Sequence, residues 1–173
     1  KEDKPYSQLV LAQTPFYPEA GGQVGDTGYI TTPTQQIKVL DTQKLHQQIL
    51  HTTTTLPQDL HTPLICRVES PRRANISKNH TATHLLFAAL TRLLGTHITQ
   101  QGSLVHEKGL RFDFTHPQKL SPPLLREIEQ LINEKIRANI PLEEIRDLPI
   151  DQAKKIGATA NFTELEPISI ATK

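Results

Sequence analysis

The chain has 173 residues, of which 36% are hydrophobic and 21% charged, with a formal net charge of +1; this suffices for one compact domain or two small ones. The near-neutral balance excludes a strongly basic coat for nucleic acid but leaves room for a local patch, and a lone cysteine, Cys66, excludes an internal disulfide and fits a reducing compartment. No run of about 18 apolar residues and no signal-like start is present, so a cytoplasmic setting without a membrane partner is expected; the chain starts at Lys1 and lacks Met, which reads as a piece of a longer polypeptide.

Residues 6 to 69 read as a β-rich unit. Gln8–Leu11, Gln36–Leu40 and Leu64–Val68 have strand composition, and clusters of Thr, Gln and Pro separate them. Ser70-Pro71 signals a helix start, which places a short helix over 71–77. Asn79 then caps a main helix that runs to Leu94 and stops at Gly95. Ala82, Leu85, Leu86, Ala89, Leu90 and Leu93 recur at helical spacing and should face a core. His97–Val105 and Leu110–Phe114 read as the strands of a hairpin that turns at Glu107-Lys108-Gly109. Ser121-Pro122-Pro123 opens a further helix whose apolar face includes Leu124, Ile128, Leu131, Ile132 and Ile136, ending before Pro141. A last short helix is expected at 150–156, closed by Gly157.

The most informative stretch is Asn79-His80-Thr81-Ala82-Thr83-His84. Residues i and i+4 share a helix face, so both imidazoles can point at one object, most often a metal ion. The spacing is that of the zinc-protease helix, but that motif requires Glu after the first His as general base. Thr81 stands there instead, which argues against peptide hydrolysis by that route. His46, His51, His61, His97, His106 and His116 are scattered and read as ordinary surface or strand positions. Arg67, Arg72, Arg73 and Lys78 precede the pair; contact with phosphate and a solvated helix face are equally compatible with them.

A second segment, Thr14 to Gly28, carries four glycines in its last eight residues. Glycine permits positive φ and close approach of backbone to a ligand, but on composition alone a tight turn in a small barrel is the favoured reading. Gln100-Gln101-Gly102-Ser103 interrupts a strand with polar side chains. It reads either as an exposed strand face or as a donor and acceptor set facing the His pair.

Taken in order, the Phe16–Gly28 segment, the Asn79–Leu86 helix start, Gln100–Ser103 and Leu110–Phe114 resemble the editing domain of alanyl-tRNA synthetase. Free-standing alanyl-editing proteins share that domain, and the threonyl-tRNA synthetase editing domain is a more distant relative. Ala138–Pro141 and Ala153–Ala158 also look similar to it. The resemblance implies an α+β fold: an N-terminal β-barrel-like unit over 1–69 with the Gly-rich loop, then a helix-plus-antiparallel-sheet editing core over 70–173. It implies hydrolysis of the ester that joins serine or glycine to the alanine tRNA. His80 and His84 match zinc ligands, Thr83 and Gln100 match residues that act in the pocket, and Gly21, Gly22, Gln23 and Ser103 match substrate-binding positions. The implied partners are the acceptor end of tRNA(Ala) and the rest of a synthetase chain, which would bind ATP.

The family completes its metal site with a Cys-x-x-x-His segment further on, and no such segment occurs through Lys173. Asn161–Glu166 also departs from the family's Phe-Gly-Glu-Lys pattern. A non-catalytic tRNA-binding remnant of the same fold is therefore the alternative reading, and a zinc hydrolase acting on another small ester is a third. A zinc site normally takes three or four protein ligands, and His80 and His84 supply two. Zn2+ is expected in the intact parent, whereas elemental analysis of this chain is expected to find it largely metal-free and folded without the ion. Near-stoichiometric zinc retained through dialysis would mean that an unidentified residue completes the site.

Overall fold

A computed structural model describes residues 6–59, 62–141 and 148–155. The chain divides into two compact units, Lys1–Ile132 and Asn133–Lys173. In the first unit, β1 (Ser7–Val10), β2 (Gly28–Thr31), β3 (Gln36–Leu45), β4 (Gln48–Thr53) and β5 (Ile65–Val68) form one sheet. All its ladders are antiparallel, in the order β1-β4-β3-β2-β5. Among the described residues β1 and β5 remain edges with no ladder between them. The barrel-like unit expected over 1–69 is thus an open five-stranded sheet, and the α+β class holds with antiparallel strands and segregated helices.

Two of the five strands lay outside the expected set. β2 begins at Gly28, the last residue of the glycine segment, and its inward side chain is Ile30. β4 sends His51 and Thr53 inward. With polar residues on its buried face, β4 lacks the apolar alternation that marks a half-buried strand. Those groups are satisfied locally. The Thr53 hydroxyl donates to the Thr55 carbonyl at 2.9 Å. His51 Nδ1–H donates to the Leu9 carbonyl at 3.0 Å, and Nε2 accepts from the Thr14 hydroxyl at 2.8 Å. His51 is therefore a buried, neutral core residue rather than a surface position. Around it Phe16, Ile30, Ile37 and Val39 form the sheet's core, flanked by Leu9, Leu11, Leu64, Cys66 and Val68.

Helix α1 runs unbroken from Ser70 to Leu94. The expected break before Asn79 is absent, and the reason is chemical. No Pro or Gly interrupts the run after Pro71, and the Asn79 amide donates to the His106 carbonyl at 2.8 Å instead of capping its own backbone. The N-cap position is Glu69, without a side-chain cap, and the Ser70 hydroxyl reaches back to the Val68 carbonyl at 3.4 Å. Gly95, at φ 109°, ends the helix with its N–H on the Thr91 carbonyl.

The hairpin expected after α1 is β6 (Gln100–His106) and β7 (Gly109–Phe114), turning at Glu107-Lys108. Its inner face packs on α1 through Phe112 and Phe114. These join Ala89, Leu90, Ile98 and Ile128 in a second core with Leu86, Phe87 and Leu93 of α1 and Leu124, Leu131 and Ile132 of α2 (Pro122–Ala138). Ile136, expected on the apolar face of α2, is 54% exposed. In the second unit α2 continues to Ala138, Asn139 takes φ 45°, and α3 spans Ile150–Lys155. Gly157 and Asn161–Glu166 lie outside the described residues. Among the described residues no helix is long and apolar enough to cross a membrane.

One ion pair ties the sheet's loops to α1. Asp26 is buried, and both its oxygens are engaged by Arg73: Oδ1 by Nε at 2.7 Å and Oδ2 by Nη2. Oδ2 also accepts the Tyr17 N–H at 2.7 Å. Removing one partner of a buried pair leaves an uncompensated charge. Because Arg73 is itself part-exposed, Arg73→Leu is expected to lower the unfolding free energy by about 3 kcal/mol, the low end for such a change. Urea denaturation checks this, with Arg92→Leu on the exposed side of the same helix as the control that changes little.

Candidate functional site

The Gly-rich segment folds into a two-residue turn. Ala20 and Gln23 exchange backbone hydrogen bonds at 3.2 and 2.9 Å, and Gly21 and Gly22 take φ 58° and 79°. Positive φ at both central positions is a type I′ geometry, which explains two consecutive glycines. The turn then leans on the hairpin: the Gly22 carbonyl accepts the Val105 N–H at 2.7 Å, and the Val105 carbonyl accepts the Val24 N–H at 3.0 Å. A Cβ on Gly22 would stand 2.1 Å from Ser103 Oγ and 2.7 Å from the Ser103 carbonyl oxygen, whereas one on Gly21 would meet nothing within 4 Å. The tight-turn reading thus holds for both glycines, and Gly22 is in addition packed closely against Ser103 of β6.

Helix α1 holds the segment from its other side. Arg72 Nη1 donates to the Gly25 carbonyl at 2.8 Å, and Arg73 holds Asp26 as above. Arg72 Nε also lies 3.4 Å from Glu107 Oε2 at the hairpin turn. Glu107 sits below the usual carboxylate range, chiefly through its own backbone N–H and in part through Arg72. Arg72 and Arg73 are therefore committed to the fold, neither a free phosphate patch nor a solvated face. Nothing in their sequence spacing signalled this, because their partners are a backbone carbonyl and an aspartate 47 residues away.

Two turns further along α1 the same loop reaches the histidines. Gln23 Oε1 accepts the His80 Nδ1–H at 2.7 Å. An amide oxygen only accepts, so this bond protonates Nδ1 and leaves Nε2 with its lone pair free. The His80 and His84 rings stack at 5.1 Å between centroids and 13° between planes. Burial lowers the pKa of both, and for His80 the charge on His84 lowers it further. Both are thus kept neutral and available as ligands near neutral pH. Among the described residues no group of three or more His, Cys, Asp or Glu is assembled to hold a metal ion. The donor set fits two positions of a zinc shell and does not close it. Cys66 lies on β5 against the sheet core, with its thiol pushed up by burial, and His116 pairs with His97 instead.

Thr83 is buried on α1, and its hydroxyl donates to the Asn79 carbonyl at 2.9 Å. Its proton is used, and its oxygen keeps acceptor capacity. Gln100 pairs with Phe114 and Ser103 with Phe112, across a bulge that takes up Gln101. Directly paired residues share a sheet face, so Gln100 and Ser103 lie on the face whose Phe112 and Phe114 meet α1. The bulge explains how two residues three apart come to one face. Turn, helix and hairpin thus bring Gly22, Gln23, His80 and Ser103 into one linked junction, with His84 stacked on His80; Thr83 faces inward on the same helix.

Residues 2–69 match the family model of class II (A) tRNA synthetases. The chain is 52% identical to the alanine-tRNA ligase of Cytophaga hutchinsonii over 157 residues, which is 91% of this chain and 18% of that protein. It is 50% identical to the alanine-tRNA ligase of Bacteroides thetaiotaomicron over the same shares. To that of Parabacteroides distasonis it is 46% identical over 164 residues, 95% of this chain and 19% of that protein. The chain spans about a fifth of the length of the curated relatives it matches. The coarser part of the resemblance drawn from the motifs is met: the likeness is to a segment of alanine-tRNA ligases.

Two outcomes follow from this geometry. Gly22→Ala adds a Cβ against β6 at a positive φ, so it should destabilise by more than about 2 kcal/mol, whereas Gly21→Ala should cost only the left-handed backbone term of about 1 kcal/mol; denaturation curves of both variants check the contrast. His51, His80 and His84 all have folded pKa values below the unfolded value of 6.5. Below that value the unfolded chain binds more protons, so their contribution is complete above pH 6.5 and is lost as pH falls through the folded values. The urea midpoint should fall between pH 7 and pH 5, and His51→Gln should flatten that fall.

Proposed function

We propose that the chain is the editing module of an alanine-tRNA ligase, hydrolysing the ester of seryl- or glycyl-tRNA(Ala) in the cytoplasm. The observation that carries this reading is the Gln23–His80 contact within the junction. It sets two imidazoles beside a backbone turn, on residues that the motif resemblance assigns to one pocket. Similarity to alanine-tRNA ligases along most of the chain supports an alanine tRNA as the partner.

An aminoacyl ester is already activated, so catalysis requires a placed water and stabilisation of the tetrahedral oxyanion. His80 and His84 would hold zinc weakly, and the ion when bound would supply Lewis-acid polarisation. The remaining work falls to the chain. Gln23 sets the His80 tautomer and ring orientation. Thr83 Oγ1, with its proton committed to Asn79, accepts a hydrogen bond from the substrate's amine or hydroxyl. The Gln100 amide offers a donor and an acceptor from the strand. The turn at Gly21-Gly22 brings backbone close to the terminal adenosine.

Discrimination of the seryl from the alanyl ester follows from a polar lining. A site that hydrogen-bonds the seryl hydroxyl leaves groups unpaired when alanine enters, which can discriminate by roughly 10⁴-fold.

A second reading, a tRNA-binding remnant without catalysis, is favoured by one observation: only two metal ligands are assembled among the described residues. Deacylation of seryl-tRNA(Ala) by the chain, with and without added Zn2+, separates the two. The editing reading expects release of serine, sparing of alanyl-tRNA(Ala), and a loss of about 10–100-fold in Gln23→Ala, as for outer-shell partners of a metal ligand. Binding of the tRNA without hydrolysis at any zinc concentration would establish the remnant. Equal hydrolysis of a small seryl ester would point to a general zinc esterase.

A further inference from the structure

Apart from the His80–His84 junction, a second pair of imidazoles meets at the open end of the hairpin. His97 precedes β6 and His116 follows β7. His97 Nε2 and His116 Nδ1 are 3.0 Å apart, with the rings stacked at 5.3 Å between centroids and 27° between planes. The two residues are 19 apart in sequence and are brought together by the pairing of the hairpin they flank.

Two threonines tie the backbones beside the pair together. The Thr99 N–H donates to Thr115 Oγ1 at 3.0 Å, and the Thr115 N–H donates to the Thr99 carbonyl at 3.1 Å. The two threonine hydroxyls are 2.9 Å apart, and Thr115 Oγ1 also lies 3.2 Å from the His97 carbonyl. Between His97 and Thr99, Ile98 is buried in the core shared by α1 and β7. His97 is exposed and His116 half-buried, so the facing nitrogens are open to solvent on one side.

We propose that His97 and His116 form a binding site for a borderline divalent metal ion such as Zn2+, separate from the His80–His84 junction. Imidazole suits Zn2+, Ni2+ and Cu2+. Two nitrogens bonded to one such ion at about 2.0–2.1 Å lie about 3.0–3.4 Å apart, and the observed separation falls at the short end of that range. Without metal the two rings share one N–H in an N–H···N hydrogen bond. On binding, the ring that donates moves its proton to its other nitrogen, and both facing lone pairs bond the ion. The imidazoles stay neutral and no net proton is released. Water fills the remaining positions. The threonine contacts fix the backbone beside both residues, and each ring turns off the N···N line so that the two lone pairs converge on the ion.

The test is a Zn2+ titration of the intact chain at pH 7.5, followed through imidazole 1H–15N correlations. The unsubstituted chain is expected to show perturbed His97 and His116 resonances. The double variant His80→Gln/His84→Gln is expected to retain that response. His116→Gln, and reciprocally His97→Gln, is expected to weaken binding at this site at least tenfold while circular dichroism stays unchanged. The proposal is overturned if the His97 and His116 resonances stay fixed while His80 and His84 respond. It is also overturned if both single variants bind as tightly as the unsubstituted chain. The outcome is independent of editing activity, since neither variant touches the junction.

Discussion

The bidentate grip of Arg73 on Asp26 is the contact on which the candidate site depends. The Gly-rich segment has few apolar side chains of its own beyond Phe16 and would be a loosely tethered loop. Three kinds of contact prevent this. Asp26 is buried and closes on the Tyr17 N–H, so the loop is folded back on itself. Arg72 and Arg73 hold its Gly25-Asp26 corner from the first turns of α1. The Gly22 and Val105 backbones dock its tip on β6. Only with the corner fixed does Gln23 fall beside His80, because both arginines and His80 lie on the same helix. A buried ion pair is in general a poor source of net stability. Here its value is positional: a charge with one good partner defines one place for the loop.

The junction also explains why His80 and His84 are neutral. His80 is half-buried, and a charge on its stacked, more exposed neighbour His84 raises the cost of protonating it further. Neutral imidazoles are what metal binding and general-base chemistry require, and here they come at the expense of acid stability. His51 shows the same physics without any function. Its two nitrogens are saturated by Leu9 and Thr14, and its burial serves the sheet core. A lowered histidine pKa therefore does not by itself mark a site in this molecule.

What could be read from the sequence divides along physical lines. The hairpin, α2 and the apolar stripe of α1 were legible because apolar periodicity and Pro or Gly punctuation agree there. The His80–His84 pair was legible because i,i+4 spacing on a helix is a geometric fact. β4 was hidden because it buries His51 and Thr53 rather than aliphatic residues. The unbroken α1 was hidden because Asn79, a good capping residue, found a tertiary partner in His106. The roles of Arg72 and Arg73 were hidden because they rest on contacts across 47 residues. Gln100 and Ser103 share a face only through a bulge, and simple alternation would have put them on opposite faces. Local rules sufficed where the chain pairs with its near neighbours and failed where a polar group chose a distant one.

The Gln23–His80 contact ties the Gly-rich loop to the histidine pair, and the tautomer of His80 reports it. A long-range 1H–15N correlation spectrum above pH 7 should show His80 protonated at Nδ1 with Nε2 bare. Gln23→Leu should release that preference while leaving His51 unchanged. A His80 protonated at Nε2 in the unsubstituted protein would contradict the junction as described, and with it the assignment of His80 as a ligand through Nε2.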